Sequence, residues 1–147
     1  MIRLKHYKST NQLQIYKYMG KDVLNKVIYK ELSYKVVGIL FEVYNELGFG
    51  YQEKYYEKAI EKCFFKEKIS FKRQAPFNLK FKDEIVGKYY LDFLIENKIV
   101  LEIKKGNYFP KRNINQVKEY LKVTGLKLAI LANFTSDGVK FLRILNL

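Results

Sequence analysis

Apolar residues recur at helical spacing in two stretches of the first half of the chain. Between residues 33 and 47 one apolar stripe follows a helix: Val36, Val37, Leu40, Val43, Tyr44 and Leu47. Ser33 is the predicted N-cap, and Gly48 and Gly50 predict the end of that helix. A second helix is predicted over residues 52–68, with an inner face of Tyr56, Ala59, Ile60, Cys63 and Phe64. The pattern predicts two helices that form a hairpin joined by glycine.

Alternation of apolar and polar residues then replaces the helical spacing. Between residues 71 and 82, Phe77, Leu79 and Phe81 alternate with polar neighbours, which predicts a half-buried strand. Residues 83–84 are expected to turn the chain toward two apolar strands, residues 90–95 and 99–103, that form a hairpin. A helix over residues 112–123 and strands over residues 126–133 and 139–145 follow. The predicted order is α, α, β, β, β, α, β, β, an α/β fold.

Length and composition predict one domain with a basic extension. The chain has 147 residues, of which 48% are hydrophobic, and this is enough for one core. Residues 1–30 are rich in lysine and have few bulky apolar residues in register. We interpret them as a basic N-terminal extension and residues 31–147 as the folded domain. The alternative is that the extension adds an element to the core, because Val23, Leu24, Val27 and Ile28 have helical spacing.

The net charge favours an anionic partner. The chain carries 28 basic and 15 acidic residues, a formal net charge of +13. A charge of this size favours binding to nucleic acid or to an acidic membrane surface. The alternative is a protein with a lysine-rich surface and no such partner.

Cysteine usage and hydropathy narrow the function classes. The chain has one cysteine, Cys63, which excludes an intramolecular disulfide, a thiolate zinc site and an iron–sulfur cluster. We expect Cys63 to pack in the core. No run approaches the roughly 18 apolar residues of a membrane-spanning helix, and the N-terminus lacks the apolar core of a signal peptide. These patterns predict a cytoplasmic protein without a membrane partner.

Two acidic residues interrupt the apolar strands of the predicted hairpin. If residues 96–98 form the loop, Asp92 lies directly opposite Glu102, and Lys104 points to the same face. A two-residue loop would instead place the carboxylates diagonally. Like charges opposite one another destabilise a sheet. A divalent cation such as Mg²⁺, bound between the two carboxylates, would offset that cost.

Short motifs occur here in the order seen in a known family. They are Gly50-Tyr51-Gln52-Glu53-Lys54-Tyr55-Tyr56, Tyr90-Leu91-Asp92, Glu102-Ile103-Lys104 and Gln116 to Tyr120. With these motifs, residues 31–147 resemble the GxxExxY proteins of the PD-(D/E)xK nuclease superfamily. The resemblance implies a restriction-endonuclease-like core, a central mixed β-sheet flanked by helices. It also implies a Mg²⁺-dependent phosphodiester hydrolase site in which Mn²⁺ can substitute. Leu91 stands where the nominal motif has proline.

The resemblance and the hairpin geometry together predict the catalytic groups. Asp92 and Glu102 are expected to bind the metal, with the backbone carbonyl of Ile103 as a third ligand. Lys104 is expected to orient the attacking water or to stabilise the negative charge of the transition state. The family pattern implies that Glu53 is a further acidic contact to the metal. The alternative is that Glu53 only complements the positive end of its helix.

The predicted third helix extends the site. Gln116 and Tyr120 are four residues apart, so both can face the same pocket. The motif implies that Gln116 contacts a phosphate or a water and that Tyr120 supports the site or stacks on nucleic acid. Plain packing is the alternative for Tyr120, and Gln74 is a further candidate for the same pocket. Basic side chains near the site are expected to neutralise phosphates without reading sequence: Lys105, Lys111, Arg112 and Lys118.

These observations predict a small Mg²⁺-dependent nuclease that hydrolyses phosphodiester bonds in nucleic acid, DNA rather than RNA. One alternative is a non-cleaving nucleic-acid-binding module with the same fold. Another is a latent subunit of a larger defence or repair complex, active only with a protein partner. Because many enzymes of this superfamily cut duplexes as dimers, a homodimer is a further expectation.

Overall fold

The computed structural model describes residues 28–146, which form three helices and five strands. They are α1 (Lys30–Leu47), α2 (Glu53–Lys66), β1 (Phe71–Phe81), β2 (Glu84–Ile95), β3 (Ile99–Lys105), α3 (Lys111–Thr124), β4 (Leu128–Thr135) and β5 (Gly138–Leu145). This is the predicted order. The predicted extension, residues 1–30, lies outside the described residues except at its last three positions. None of the described helices is long and apolar enough to cross a membrane.

The first helix ends at the predicted glycine but begins earlier than expected. Gly48 follows α1 with a φ of 71°, and its N–H donates to the Tyr44 carbonyl at 2.7 Å. Glycine adopts this left-handed conformation at no steric cost. The prediction that Ser33 is the N-cap is wrong, because α1 begins at Lys30 and Ser33 is buried within it. The Ser33 hydroxyl donates to the Ile28 carbonyl instead, a use of serine that sequence does not separate from capping.

The strands form one mixed sheet in the order β1-β2-β3-β4-β5. Neighbouring strands are antiparallel except β3 and β4, which are parallel and connected through α3. In the central hairpin Phe93 pairs with Leu101 and Ile95 pairs with Ile99, which leaves residues 96–98 as the loop. The predicted loop length and register are therefore confirmed.

Helices cover both faces of the sheet. On one face α1 and α2 pack over the strands, and the Tyr56 ring of α2 stacks on Phe134 of β4 with 4.1 Å between ring centres. On the other face α3 contributes Val117 to an apolar cluster that includes Val100 of β3. Because side chains alternate along a strand, Glu102 shares the α3 face with Val100. The side chain of Glu102 is therefore directed to the α3 side of the sheet.

The β1–β2 hairpin changes face beside Asp92. The pair of Arg73 and Phe93 lies on the α2 side, whereas Ala75, two residues further on, belongs to the core beneath α3. Between them Gln74 has a φ of 48°, and its pairing with Asp92 is missing from the ladder. A side chain in this left-handed conformation costs about 1–2 kcal/mol. Both strands therefore twist where the hairpin carries Asp92.

The tip of the same hairpin is exposed, contrary to prediction. Leu79 and Phe81, expected on the buried side of a strand, are 40% and 62% exposed. Alternation shows which residues share a face, but it does not show how far a helix covers that face, and here packing against the α3-side core reaches only to Phe77. The turn is formed by Lys82 and Asp83, both at positive φ, rather than by residues 83–84.

Candidate active site

Asp92 and Glu102 are held together by reciprocal hydrogen bonds. The backbone ladder between β2 and β3 ends at Phe93 and Leu101. Beyond it, the Asp92 N–H donates to Glu102 Oε1 at 2.8 Å, and the Ile103 N–H donates to Asp92 Oδ2 at 2.9 Å. These two side-chain bonds connect the strands beyond the point where the backbone ladder ends. The structure therefore brings together the two acids that the predicted register places side by side.

Burial makes this carboxylate pair electrostatically costly. Glu102 is 2% exposed, and its pKa is raised to about 8, first by burial and then by the charge of Asp92. The Asp92 N–H and the positive charge of Lys104 act in the opposite direction and lower this pKa. Burial of this acid pair therefore favours proton binding at Glu102, and it would equally favour a cation that replaces the proton.

Lys104 and Glu53 line one pocket beside the acid pair. This cavity of about 390 Å³ lies between the start of α2, the end of β3 and the start of α3. Its lining residues are Glu53, Lys104, Lys105, Gly106, Asn107, Tyr108, Pro110, Arg112 and Asn113. Four predicted site residues, Glu53, Lys104, Lys105 and Arg112, therefore share one cavity. The acidic Glu53 of residues 50–56 and the basic Lys104 and Lys105 of β3 therefore line the same cavity.

The segment before α2 is fixed by Tyr56. The Tyr56 hydroxyl donates to the Gly48 carbonyl at 2.6 Å and accepts from the Tyr51 N–H at 3.3 Å. Tyr56 itself is fully buried, which agrees with its predicted place on the inner face of the second helix. Tyr56, the last residue of this motif, therefore holds the loop from Gly48 to Tyr51 that leads into Glu53.

Glu57 is a site neighbour that the sequence analysis missed. It lies one helical turn after Glu53, is buried, and binds Arg73 at 3.2 Å, while Arg73 also binds Glu61 at 2.7 Å. Burial, and then the charge of Asp92, raise the pKa of Glu57. This ion pair ties α2 to β1 next to the twist at Asp92. The four-residue spacing from Glu53 was the available signal.

Asn133 on β4 is a second missed residue. It is 1% exposed and pairs with Lys104 in the parallel register of β3 and β4. Its Nδ2 donates to the carbonyls of Gly106, at 3.4 Å, and of Tyr108. Its Oδ1 has no hydrogen-bond partner within the described part of the chain. Asn133 fixes the loop that walls the pocket, and the signal for it was one polar residue in an apolar strand.

The α3 residues divide between core and surface. Tyr120 is 5% exposed and packs edge-on against Tyr89 with 5.7 Å between ring centres, so its ring is not open for stacking on a base. Burial, and then the charges of Glu102 and Asp92, raise the pKa of Tyr120, which places it next to the acid pair. Gln116 lies one turn earlier on the same helix and is half-buried.

The predicted basic residues lie around the pocket and along α3. Lys105 is exposed, and its Nζ donates to the Tyr51 carbonyl at 3.3 Å. Lys111 and Arg112 are exposed at the start of α3, and Lys118 is exposed two turns later. Arg112 and Lys105 line the pocket itself. Gln74 donates to Asp92 Oδ1 at 3.5 Å, a weak bond that nevertheless places it beside the acid pair.

The acid pair fits a hard divalent cation. Mg²⁺ binds to proteins through one or two carboxylates and completes its coordination with water and substrate phosphate. Asp92 and Glu102 supply such oxygen donors. Within residues 28–146 no three Asp, Glu, His or Cys side chains are gathered to hold a metal, so Glu53 does not form a three-acid cluster with this pair. Metal contact by Glu53 and by the Ile103 carbonyl stays a prediction.

Comparison with known proteins agrees with this architecture. The family model of the PD-(D/E)XK nuclease superfamily matches residues 30–144. The solved structure of SSO0001 is similar to this chain, with a TM-score of 0.52 and 20% sequence identity. The likeness covers 80% of this chain and 58% of that one, so this chain spans a little over half of its length, and at this identity it shows the fold alone. No curated protein matches this chain.

Proposed function

Because the chain belongs to the PD-(D/E)XK nuclease superfamily, we propose that it is a Mg²⁺-dependent nuclease that hydrolyses phosphodiester bonds in DNA. Membership in this superfamily supports nuclease chemistry. The metal, the preference for DNA over RNA and the narrower assignment to the GxxExxY proteins are our proposals. A mixed sheet flanked by helices, as predicted for this superfamily, is confirmed.

The observation that carries the proposal is the placement of Asp92 against Glu102. A buried carboxyl with a raised pKa next to a second carboxylate is destabilising for a sheet, and it is expected where function requires it. The two groups are locked to each other's strand by hydrogen bonds of 2.8 and 2.9 Å. A purely structural hairpin could join its strands by backbone hydrogen bonds without the repulsion between two carboxylates.

Each neighbouring group has a defined part in the proposed reaction. Asp92 and Glu102 would hold the cation, which when bound polarises a phosphate and lowers the pKa of an attacking water. Lys104, on the strand that carries Glu102, stabilises the negative charge that develops on the phosphate. Glu53 lines the same pocket as Lys104 and is placed to orient a water or a ligand there. Gln116 contacts phosphate or water from the α3 side.

Exposed cations around the pocket supply affinity for the backbone. Lys105, Lys111, Arg112 and Lys118 lie at the pocket or along α3 and would neutralise phosphates without base readout. DNA is the proposed substrate because the resemblance to restriction-endonuclease-like enzymes implies it.

The proposal is tested by cleavage of labelled single-stranded, duplex and branched DNA and of RNA in Mg²⁺, Mn²⁺ or EDTA. Metal-dependent cutting should fall by about 100-fold or more in Asp92→Ala and Lys104→Ala. Lys82→Ala, at the exposed hairpin tip, is the control and should cut as the wild type does. Salt-sensitive binding without cutting in any metal would favour a non-cleaving binding module, and cutting only after a partner protein is added would favour a latent subunit.

A further inference from the structure

A groove lined by aromatic and lysine side chains lies beside the candidate active site. Its cavity of about 570 Å³ is formed by the end of α1, the loop before α2 and the first three turns of α2. The lining residues are Leu47, Tyr51, Tyr55, Lys58, Ala59 and Lys62. Tyr51 and Tyr55 are 47% and 49% exposed. Large aromatic rings that are exposed to solvent in a cavity offer a surface to which a ligand can bind.

Two features fix these rings in place. The Tyr51 N–H is bonded to the Tyr56 hydroxyl, and the Tyr51 ring packs edge-on against Tyr56 with 6.2 Å between ring centres. The Lys54 ammonium lies 5.2 Å from the centre of the Tyr55 ring. Ordered rings lose little conformational entropy when a ligand binds to them.

The charge of the groove is positive. Lys58 and Lys62 are exposed on successive turns of α2 and line the cavity, and no acidic residue lines it in the described part of the chain. The acids of the same helix lie elsewhere: Glu57 and Glu61 are engaged by Arg73 at the sheet. The groove therefore combines flat apolar surfaces with cations, a combination that favours an anionic ligand with aromatic groups.

The groove is adjacent to the proposed catalytic pocket. Lys105, which lines that pocket, donates from its Nζ to the Tyr51 carbonyl at 3.3 Å. Glu53, which also lines the pocket, lies in the chain between Tyr51 and Tyr55. One short segment thus forms a wall of both cavities.

We propose that this groove binds unpaired bases of a single-stranded segment next to the cleaved phosphodiester. Base faces stack on aromatic side chains only when they are not stacked within a duplex, and lysines beside the rings neutralise the same strand's phosphates. The inference rests on the proposed nuclease function and adds its substrate class, nucleic acid with a single-stranded portion.

The test compares binding of a labelled oligothymidylate and of a blunt duplex of equal length to the full chain. Binding is measured by fluorescence anisotropy in EDTA, so that cleavage does not contribute. Tyr55→Ala should weaken single-strand binding by about five-fold or more and leave duplex binding within about two-fold. Tyr55→Phe keeps the ring and should restore single-strand binding.

Phe81→Ala is the matched control. Phe81 is also an exposed aromatic, 62% accessible, with the Lys82 ammonium 5.4 Å from its ring centre, but it lies at the hairpin tip. It should bind both probes as the wild type does. Equal losses in Tyr55→Ala and Phe81→Ala, equal losses for the two probes, or no loss would overturn the proposal. So would a change of oligomeric state in Tyr55→Ala without a change in single-strand binding, which would assign the groove to a second copy.

The outcomes separate this inference from the nuclease proposal. If single-strand binding depends on Tyr55 but the protein cuts no substrate in any metal, the groove proposal is supported and the nuclease proposal is rejected. Metal-dependent cutting with wild-type single-strand binding in Tyr55→Ala would keep the nuclease and remove the groove.

Discussion

Asp92 and Glu102 are each bonded to the backbone of the opposite strand, through the Asp92 N–H to Glu102 Oε1 and the Ile103 N–H to Asp92 Oδ2. Neither carboxylate can turn away from the other without giving up such a bond. The repulsion between them is therefore built into the folded state, and it should appear in the stability of the metal-free protein.

Glu102→Gln should stabilise the metal-free protein, and the gain should grow with pH. The folded-state pKa of Glu102, about 8, lies above its ordinary value of 4.5, so the folded state binds this proton more tightly than the unfolded state. The resulting stability is complete below about pH 4.5 and is lost as the pH rises through about 8. Glutamine carries no charge and avoids that loss, so we expect about 1–2 kcal/mol above pH 8 in urea unfolding.

Glu84→Gln, the same substitution at an exposed position, is the control for this experiment and should not reproduce the stability gain. Saturating Mg²⁺ should reduce the advantage of Glu102→Gln, because a bound cation stabilises the ionised pair of the wild type. A wild-type stability that does not fall between pH 5 and 8 relative to Glu102→Gln would contradict the prediction.

Tyr56→Phe should lower both stability and cleavage rate. The substitution keeps the ring stacked on Phe134 and removes the hydroxyl that binds the Gly48 carbonyl and the Tyr51 N–H. We expect a loss of about 1–2 kcal/mol in the free energy of unfolding, and slower cutting because the loop leading to Glu53 is released. Thermal unfolding and single-turnover cleavage measure the two effects.

Tyr44→Phe is the matched control for Tyr56→Phe. The Tyr44 hydroxyl donates to the Thr135 carbonyl at 2.7 Å, a comparable bond at a site without an active-site loop. It should lose similar stability and retain wild-type cleavage. Equal rates in both variants would show that the loop does not position the catalytic groups.

Gln74→Gly should be more stable than Gln74→Ala by about 1 kcal/mol, the reverse of the usual order in a strand. Gln74 has a φ of 48°, which glycine adopts freely and alanine does not. Both variants remove the bond from Gln74 to Asp92 Oδ1, so their cleavage rates should fall alike. Chemical denaturation ranks the stabilities. Greater stability of the alanine variant would mean that this strained conformation is absent from the folded protein.

Asn133→Ala should lower stability and should also weaken substrate binding. The substitution removes the donor that holds the carbonyls of Gly106 and Tyr108, and with it one wall of the pocket. We expect a loss of about 1–3 kcal/mol in unfolding free energy and a higher KM. Thr135→Val removes another buried side-chain bond on β4, from Oγ1 to the Gly138 carbonyl, and should lower stability with KM unchanged. A similar rise of KM in both variants would contradict the prediction.

Sequence periodicity predicts most of this fold because it reports which residues share a face. The spacing of Asp92 and Glu102 predicts their approach, since a three-residue loop fixes the register. Periodicity does not show whether a helix packs over a given part of a strand, and for this reason the sequence does not predict the exposure of Phe81. Ser33 carries a capping signal that helix packing overrides.

Contacts between segments distant in sequence explain the missed residues. Glu57 acts on Asp92 only because α2 packs across β1, and Asn133 supports the pocket only because β4 pairs in parallel with β3. Neither of these two contacts produces a pattern among residues that are close in sequence. The motif residues were found because their chemistry is unusual for an apolar strand, which is a local property.

The twist at Gln74 and Asp92 connects the exposed end of the β1–β2 hairpin to the rest of the sheet. β2 extends from the exposed tip near Glu84 to Asp92, with a shift in its pairing with β1 opposite Leu79 and Lys80, while Glu102 lies on β3 in the middle of the sheet. A displacement of this exposed hairpin would therefore act on Asp92 first and would work against the two hydrogen bonds that join Asp92 and Glu102 to each other's strand. Bending of this hairpin would change the distance between the Asp92 and Glu102 carboxylates.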